Sequence, residues 1–425
     1  MELNNNIQNN FFPIIFPLEY TTDDSDINTD YNFCQGNSNK IDTLNRILEI
    51  INYYKNLREL NNIKSNIDSL EEKEWDYLKK KCNPFECVTT NNGVANYMPI
   101  SRAYFKMFEM IECFKEEMIK AIGGEENFTT LHLAEGPGGF IECLNQKLDE
   151  MNYKDYKMYG ITLVKEDKSV PAWKKSNFFL EFNKNIEILN GKDGTGDLYN
   201  IDNIYDVSSK ITKKASIITG DGGFDFSNDF NQQENLSFPL IYCQTLTALL
   251  SQKIGGIFIL KIFDIYNVKT INLIEILKKS YRKVNIIKPY TSRPANSEKY
   301  IVCIDFLDSI SKEDIHKLLL DIPKMGSSIV NKDLELHKYT SCNPKFYTCL
   351  NEINEIMFER QKKFILETLS LRNVLITDEK KEALIKNQVL TSIQWCIKYK
   401  FRINYLSKYI NLYSLTLIRN RNNFD

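Results

Sequence analysis

Three charged side chains lie at the ends of predicted strands or just before one. Asp221 follows a predicted strand within Gly-Asp-Gly-Gly-Phe, Lys261 ends the apolar run Gly-Gly-Ile-Phe-Ile-Leu-Lys, and Glu298 precedes the last predicted strand. In an open α/β sheet, ligands bind beyond the carboxyl ends of the strands. Taken singly, an Asp before Gly-Gly is typical of a turn, and a lysine that ends a strand usually extends to the surface. Together the three predict a site in which neighbouring charges shift each other's pKa.

A glycine-rich turn lies upstream of these residues, in Leu-His-Leu-Ala-Glu-Gly-Pro-Gly-Gly-Phe at Leu131–Phe140. It joins a short apolar run to the helical pattern of Ile141–Leu148. Because glycine has no Cβ, backbone can approach a ligand closely at such a turn, and the first amides of the helix stay free for polar groups. The spacing fits neither the dinucleotide-binding nor the P-loop motif. A purely structural turn is the alternative interpretation.

Alternating strand and helix patterns from Phe128 onward predict a parallel sheet. The strand candidates are Thr129–Ala134, Lys157–Thr162, Ala215–Thr219, Ile257–Lys261, Lys283–Lys288 and Lys299–Phe306. Only Pro289–Glu298 separates the last two, which is too short for a helical crossover, so this pair is predicted to be antiparallel. The predicted fold is therefore an α/β sheet that is parallel and closed by a terminal antiparallel hairpin.

Composition and periodicity divide the chain into four regions. They are a loosely ordered, Asn- and Asp-rich arm (1–40), a helical N-terminal extension (41–100), the α/β domain (101–306) and a helical C-terminal extension (307–425). Helical periodicity before the sheet covers Ile41–Leu60, Ile63–Lys81 and Arg102–Ala121. The extensions are expected to flank the α/β domain.

Composition also limits the partners and the compartment. The 425 residues carry a formal net charge of −2, so any contact with nucleic acid must come from a local basic patch. Ten cysteines and only three histidines, with no C-x-x-C pair, argue against a metal site and indicate a reducing compartment. Because no apolar run reaches membrane-spanning length and the start is not a signal peptide, we expect no membrane partner and an intracellular protein, with the cytoplasm favoured over the nucleus.

Several motifs resemble the FtsJ/RrmJ-like ribose 2′-O-methyltransferases, and most of all those that act on mRNA caps. The motifs cover roughly residues 80–306 and read Asn83-Pro84-Phe85-Glu86, Arg102-Ala103-Tyr104-Phe105-Lys106-Met107, Gly220-Asp221-Gly222-Gly223-Phe224, Gln233-Glu234-Asn235-Leu236, Cys243-Gln244, Gly255 to Asp264 and Lys288 to Tyr300. A weaker likeness to the helical tail of eukaryotic cap enzymes surrounds Trp395. The resemblance implies a Rossmann-like class I methyltransferase sheet with S-adenosylmethionine as cofactor, and it points to a large DNA virus as one source of such a chain.

The resemblance also implies roles for individual residues. It implies a catalytic tetrad of Lys106, Asp221, Lys261 and Glu298. The implied cofactor contacts are Ser101, Glu135, Gly136, Pro137, Gly138, Gly139, Phe140, Asp197, Leu198 and Asp221. The implied RNA contacts are Lys79, Lys80, Lys81, Asn235, Ser292, Arg293 and Asn296. By residue type alone, the triple lysine is more often a solvated helix end, and His132, where the family often has Asp, is more often a packed strand residue.

Methylation of a ribose 2′-hydroxyl needs a base, because that hydroxyl is a weak acid. An ordinary lysine, with a pKa of about 10.4, is protonated at neutral pH and cannot accept the proton. A second cation and removal from water both favour the neutral amine, so we expect Lys261 to be the base and Lys106 to be the second cation. Asp221 would orient the Lys261 amine, and Glu298 would hold Lys106 and the ribose. This chemistry requires no metal.

Two other functions remain open on the sequence. One is 2′-O-methylation of rRNA or tRNA, although the flanking helical extensions and the Asn-Ser-Glu-Lys-Tyr loop favour the cap. The other is a catalytically silent paralogue that only binds RNA or a partner protein, although a silent copy has no physical need for both lysines. The expected partner is therefore RNA, and capped mRNA before others, together with capping or transcription machinery.

Overall fold

The computed structural model describes residues 13–18, 55–124, 127–164, 172–223, 230–322, 335–340, 344–374 and 377–413. Within these residues the chain forms an eight-stranded sheet with the strand order β1-β7-β8-β6-β5-β2-β3-β4. The strands are β1 (Ile14–Pro17), β2 (Phe128–Leu133), β3 (Tyr156–Ile161), β4 (Ile186–Leu189), β5 (Ala215–Gly220), β6 (Gln252–Ile262), β7 (Tyr281–Lys288) and β8 (Lys299–Phe306).

The sheet is parallel on one side of β6 and antiparallel on the other. Strands β6, β5, β2, β3 and β4 run parallel to one another, whereas β8 runs antiparallel to both β6 and β7. Strands β2 and β5 are buried along their whole length. Helices cover both faces of the sheet, so these strands show no alternation of buried and exposed residues. The prediction of a parallel α/β sheet with a terminal antiparallel hairpin is confirmed.

The sequence pattern predicts neither of the two edge strands. Strand β1 lies inside the region 1–40, which the composition predicts to be a loosely ordered arm, and for Ile14–Pro17 that prediction is wrong. These residues pair with β7, with Ile14 opposite Lys288, and they alternate between half-buried and exposed. Strand β4 also has only four residues. Strands this short give too few positions for a recognisable alternation of apolar and polar residues.

Helices connect and flank the strands. They are α1 (55–65), α2 (Glu72–Cys82), α3 (Glu86–Thr89), α4 (Ala103–Cys113), α5 (Lys115–Ile122), α6 (Gly139–Glu150), α7 (Asn177–Phe182), α8 (Ile201–Lys210), α9 (Gln233–Ser251), α10 (Val268–Ser280), α11 (Lys312–Leu319), α12 (Pro344–Val374), α13 (Asp378–Lys398) and α14 (Lys408–Tyr413). The single helix predicted over Arg102–Ala121 is two helices that meet at Phe114. The helix predicted over Ile63–Lys81 is interrupted between α1 and α2. Most of the helix predicted over Ile41–Leu60 lies outside the described residues.

Two layers of helices enclose the sheet, and both helical extensions contribute to them. On one face, α4, α5, α6 and α13 pack on a core that includes Ile217 and Ile259. On the other face, α8 to α11 and the start of α12 pack on a core that includes Ile218 and Leu260, because successive strand residues point to opposite faces. A smaller cluster around Trp75 joins α1 and α2 to α12. The domain boundaries at residues 40, 100 and 306 stay predictions.

Candidate active site

Four charged side chains meet where the parallel strands end. Lys106 comes from α4, Asp221 follows β5, Lys261 lies near the end of β6 and Glu298 immediately precedes β8. Lys106 Nζ lies 2.8 Å from Glu298 Oε1. Lys261 Nζ lies 3.2 Å from Asp221 Oδ1 and donates to the carbonyl oxygen of the same residue at 2.7 Å. The structure therefore brings the four residues of the predicted tetrad together as two ion pairs.

Tyr300, which is not among the predicted site residues, links the two pairs. Its hydroxyl donates to Asp221 Oδ1 at 3.0 Å and accepts from Lys106 Nζ at 3.3 Å. Tyr300 lies opposite Lys261 in the pairing of β8 with β6. The available signal was the spacing from Glu298, because residues two apart on an extended segment point to the same face.

The electrostatics of the site favour an ionised Glu298. Burial raises the pKa of this carboxyl, but the nearby ammonium groups of Lys106, Lys261 and Lys288 outweigh burial and hold the pKa well below its usual range. For Tyr300, burial and then Asp221 raise the pKa well above its ordinary value. Glu298 therefore carries a fixed negative charge between lysines, and Tyr300 stays a neutral hydrogen-bond donor.

The loop that carries Glu298 is held by a buried lysine. Lys288 donates to the carbonyl oxygens of Asn296 at 2.8 Å and Glu298 at 2.5 Å. Ser292, from the same loop, donates to Glu298 Oε1 at 2.9 Å. Burial lowers the pKa of Lys288 well below its ordinary value. Of the predicted RNA contacts, Ser292 therefore contacts the Glu298 carboxylate, and Asn296 shares the Lys288 amine with the Glu298 backbone.

The glycine-rich turn presents a buried carboxylate beside this site. Glu135 Oε1 accepts from the Thr219 hydroxyl, while Glu135 Oε2 receives no hydrogen bond from any described residue, with His132 Nδ1 at 3.4 Å. Burial raises the pKa of Glu135. The buried hydroxyl of Ser101, on the other side of the turn, is also without a described partner. A carboxylate oxygen and a hydroxyl left unpaired in the interior suit a polar, positively charged ligand such as S-adenosylmethionine.

The glycines of this turn serve packing inside the protein. A Cβ on Gly136 would lie 2.7 Å from the Ala172 carbonyl oxygen, and one on Gly139 would collide with Ser101 Oγ. Gly138 has a φ of +108° and faces the ring of Trp173. Close packing within the protein therefore requires glycine at these positions. Pro137 and Phe140 belong to the same turn, and the Phe140 ring packs on Tyr300 with centroids 5.7 Å apart.

Asp197 lies in a tight loop beyond β4. Asp197 Oδ1 accepts from the backbone of Tyr199 at 2.9 Å, and Leu198 is buried in the core. A Cβ on Gly196 would collide with the carbonyl oxygen of Thr162, just after β3. This close approach places the loop next to the carboxyl ends of the strands, on the same edge as Glu135.

The predicted RNA-contact residues divide into two groups. Lys79 lines a cavity of about 90 Å³ together with Arg293 and Asn296, so the structure brings these three together. Lys80 and Lys81 do not line this cavity. Lys80 pairs with Asp76, and Lys81 Nζ lies 5.5 Å from the ring centroid of Tyr77.

Asn235 lies in the first turn of α9 and contacts the loop after β6. Its side-chain oxygen accepts from Asn267 Nδ2 at 2.7 Å. The neighbouring Glu234 carboxylate accepts from the backbone of Tyr266 and Asn267 at 2.7–3.0 Å. Burial raises the pKa of Glu234 to about 7. The Gln-Glu-Asn motif therefore fixes the loop that follows the Lys261 strand.

Like Tyr300, Glu86 lies at the site but is not among the predicted site residues. Its carboxylate accepts from Asn83 at 2.7 Å, from Arg102 at 2.9 Å and from Arg293 at 3.0 Å. Burial raises the pKa of Glu86, but Arg293 and Arg102 outweigh it and lower the pKa below its usual range. Its position within the Asn-Pro-Phe-Glu motif was the available signal. Glu86 orients two guanidinium groups at the rim of the site.

Two observations bear on the expected absences. Among the described residues, no group of His, Cys, Asp and Glu is arranged to hold a metal ion. No helix in the described part of the chain is long and apolar enough to cross a membrane.

The mostly parallel sheet with helices on both faces has the Rossmann-like form that the resemblance implies. Residues 99–306 match the family model of FtsJ-like methyltransferases. This match confirms the predicted resemblance to that family for these residues.

Named relatives align with this chain over part of their own length. The cap-specific mRNA (nucleoside-2′-O-)-methyltransferase 1 of Dictyostelium discoideum is 29% identical over 333 residues, which cover 72% of this chain and 42% of the relative. The cap-specific mRNA (nucleoside-2′-O-)-methyltransferase 2 of Danio rerio is 30% identical, and the alignment covers 35% of that relative. A cap-specific methyltransferase of Autographa californica nuclear polyhedrosis virus is 32% identical over 42% of this chain and 64% of the relative.

Replacing Glu135 tests the cofactor side of the site. In Glu135→Gln an amide NH₂ replaces a carboxylate oxygen and cannot accept a hydrogen bond. The variant would therefore lose one charge-assisted hydrogen bond to the cofactor. We expect its affinity for S-adenosylmethionine, measured by calorimetry, to be weaker by about 10- to 100-fold. Lys261→Ala, on the tetrad side, should keep the wild-type affinity. Equal cofactor binding by Glu135→Gln and wild type would remove Glu135 from the cofactor site.

Proposed function

We propose that this protein transfers a methyl group from S-adenosylmethionine to a ribose 2′-hydroxyl of RNA, at the 5′ cap of mRNA. The observation that carries the proposal is the chain of contacts from Glu298 through Lys106, Tyr300 and Asp221 to Lys261. Bound S-adenosylmethionine supplies an electrophilic methyl group. The protein must then orient the ribose hydroxyl and accept its proton.

The contacts of Lys261 suit a general base. A neutral lysine amine has two N–H bonds and one lone pair. Asp221 offers two acceptors, its carbonyl oxygen at 2.7 Å and Oδ1 at 3.2 Å, which would occupy both N–H bonds and leave the lone pair for the ribose hydroxyl. When the amine takes the proton, the Asp221 carboxylate stabilises the new positive charge.

The other pair suits the binding of the ribose. Glu298 stays ionised between cations, as its lowered pKa indicates, and can accept a hydrogen bond from a ribose hydroxyl. Lys106 supplies a second positive charge within the site. The hydroxyl of Tyr300 keeps Asp221 and Lys106 at a fixed separation. Catalysis would rest on orientation and charge placement within a largely buried set of groups.

Three observations support a capped RNA as the substrate. The relatives reported above carry cap-specific names. Both helical extensions pack against the domain, next to the site. The Arg293 and Lys79 side chains provide local positive charge at the cavity beside the Glu298 loop, as a chain with a net charge of −2 requires for binding to RNA.

The direct test is methyl transfer to matched short RNAs that differ only in the cap. We expect radiolabelled methyl to enter capped RNA and to map to a ribose near the 5′ end. Transfer to uncapped rRNA or tRNA fragments alone would support the alternative of an rRNA or tRNA enzyme. Binding of cofactor and RNA without any transfer would overturn the catalytic proposal in favour of a silent binding protein.

Replacing Lys261 tests the base. Lys261→Ala should keep cofactor affinity but lower the single-turnover rate by about 10²- to 10⁴-fold, the range typical of a lost general base. Lys261→Arg should be nearly as slow, because a guanidinium stays protonated and cannot accept a proton. A lysine that only supplies charge would tolerate Arg. A single-turnover rate close to wild type in Lys261→Arg would therefore assign the base elsewhere.

Neutralising the triple lysine tests the local patch for RNA. Burial raises the pKa of Asp76, but Lys80 and Lys79 outweigh it and lower this pKa to about 2, so part of their charge is compensated within α2. Replacing Lys79, Lys80 and Lys81 together by Gln should still reduce the dependence of RNA affinity on salt. The logarithmic slope should fall by about 0.7 for each phosphate that the variant no longer neutralises.

The matched control for the triple lysine changes the same charge at the opposite edge of the sheet. Lys154, Lys157 and Lys184 are exposed and lie near the amino-terminal ends of β3 and β4. Replacing these three by Gln should leave the salt slope unchanged. Equal slopes for both triple variants would exclude Lys79–Lys81 from the RNA contacts.

A further inference from the structure

Glu109 is a buried carboxylate one helical turn beyond Lys106. It is 0% exposed, and its oxygens accept hydrogen bonds from four donors. The donors are the backbone of Tyr290 at 2.7 Å, the backbone and hydroxyl of Thr291 at 2.9 and 2.7 Å, and the indole of Trp395 at 3.2 Å. Residues three apart on a helix lie on the same side, so Glu109 and Lys106 face the same loop.

The donors to Glu109 from the loop, Tyr290 and Thr291, lie immediately before a residue that contacts the tetrad. Ser292 follows Thr291 and donates to Glu298 Oε1 at 2.9 Å, and Glu298 pairs with Lys106. The contacts therefore close a ring that runs from Lys106 through Glu298, Ser292 and Thr291 to Glu109 and returns along α4. A shift of the loop would have to break either the Lys106 ion pair or the Glu109 hydrogen bonds.

Trp395 brings the C-terminal extension into this ring. Its side chain is 0% exposed, and its ring packs against Phe105 and Phe108 of α4, each at 5.8 Å between centroids. Phe105 is the neighbour of Lys106. The indole N–H and the packed rings thus attach α13 to the helix that carries the tetrad lysine and to the loop that carries the tetrad glutamate.

We infer that Glu109 is a positioning residue for methyl transfer, and that Trp395 of the C-terminal extension holds it and the loop at residues 289–298 in the geometry the tetrad requires. The inference rests on the proposed function, because it concerns the placement of Ser292 and Glu298 relative to Lys106. Glu109 contacts neither the glycine-rich turn nor the Asp197 loop, so it acts on the reaction and leaves cofactor binding unchanged.

The ionised form of Glu109 is the one that fits its surroundings. Four donors need acceptor oxygens, and a protonated carboxyl would direct one O–H toward an N–H. Burial raises the pKa of Glu109 to about 7, against the effect of its hydrogen bonds. The titratable groups that face it are Tyr290 of the loop, Cys113 of its own helix, and Lys398 and Tyr399 of α13. Burial raises the pKa of the two tyrosines and the cysteine, so these stay neutral between pH 6 and 8.

The test compares single-turnover methyl transfer by wild type and Glu109→Gln across pH. At pH 8 the amide variant should be slower by about 10- to 100-fold, the effect of a small misplacement of reacting groups, with unchanged S-adenosylmethionine affinity. As the pH falls from 8 to 6, the wild-type carboxyl takes up its proton and loses its advantage. The ratio of the two rates should therefore fall toward one.

Two milder variants cover the case in which Glu109→Gln does not fold. Trp395→Phe removes the indole N–H and keeps an aromatic ring, and Thr291→Val removes one hydroxyl donor and keeps the backbone N–H. Each should slow transfer by a few-fold without changing cofactor affinity. In addition, Glu109→Gln and Ser292→Ala should be non-additive in the single-turnover rate, because both act through Glu298.

The matched control is Glu275→Gln. Glu275 is also a 0% exposed carboxylate and also contacts the C-terminal extension, at Tyr347, but it lies on α10, on the other face of the sheet. Its variant should transfer methyl at the wild-type rate. A pH-independent rate ratio, or additivity with Ser292→Ala, would overturn the positioning role while the wild-type activity still stands. An inactive wild type would instead overturn the proposed function.

Discussion

The ion pair between Lys106 and Glu298, whose side chains are 14% and 12% exposed, is the interaction on which the candidate site depends. Moving two charges out of water costs several kcal/mol per ion, and the attraction within the pair offsets this only where the other donors and acceptors are also satisfied. Here Glu298 also accepts from Ser292, and Lys106 also donates to Tyr300. The pair joins α4, which precedes the sheet, to the loop before its last strand. Both elements must therefore keep their relative position.

The direction of β8 explains why a residue before a strand joins residues at the ends of others. Because β8 runs antiparallel to β6, its amino-terminal end lies at the edge where β5 and β6 finish. Glu298 therefore lies at the same edge of the sheet as Lys261 and Asp221, and Tyr300 falls opposite Lys261. A parallel last strand would place Glu298 at the opposite edge of the sheet. The change of direction at β6 is thus a requirement of the site as well as a feature of the fold.

The parts that could be predicted from the sequence are those with a local signal. Asp221 and Lys261 end apolar runs, and the short linker before β8 gives its direction, so their meeting follows from strand geometry. Glu109 and Trp395 are 286 residues apart, and no local pattern links a helix of the C-terminal extension to α4. Their contact arises from packing of aromatic rings, which the sequence does not specify. The sequence motif singles out the glycines of the turn, but only the structure shows that their missing side chains make room for Ala172, Trp173 and Ser101.

The lysines of this protein are divided between two tasks by burial. Three lysines are nearly inaccessible. Lys64 donates to Asp264, and Lys288 donates to the 296–298 loop. Lys299 donates to the carbonyl oxygen of Phe263. Such cations hold loops and set the charge around Glu298, but they cannot release counterions to an RNA. Exposed lysines such as those of α2 can do so. Because the molecule has a net charge of −2, attraction for nucleic acid must come from such local, exposed groups.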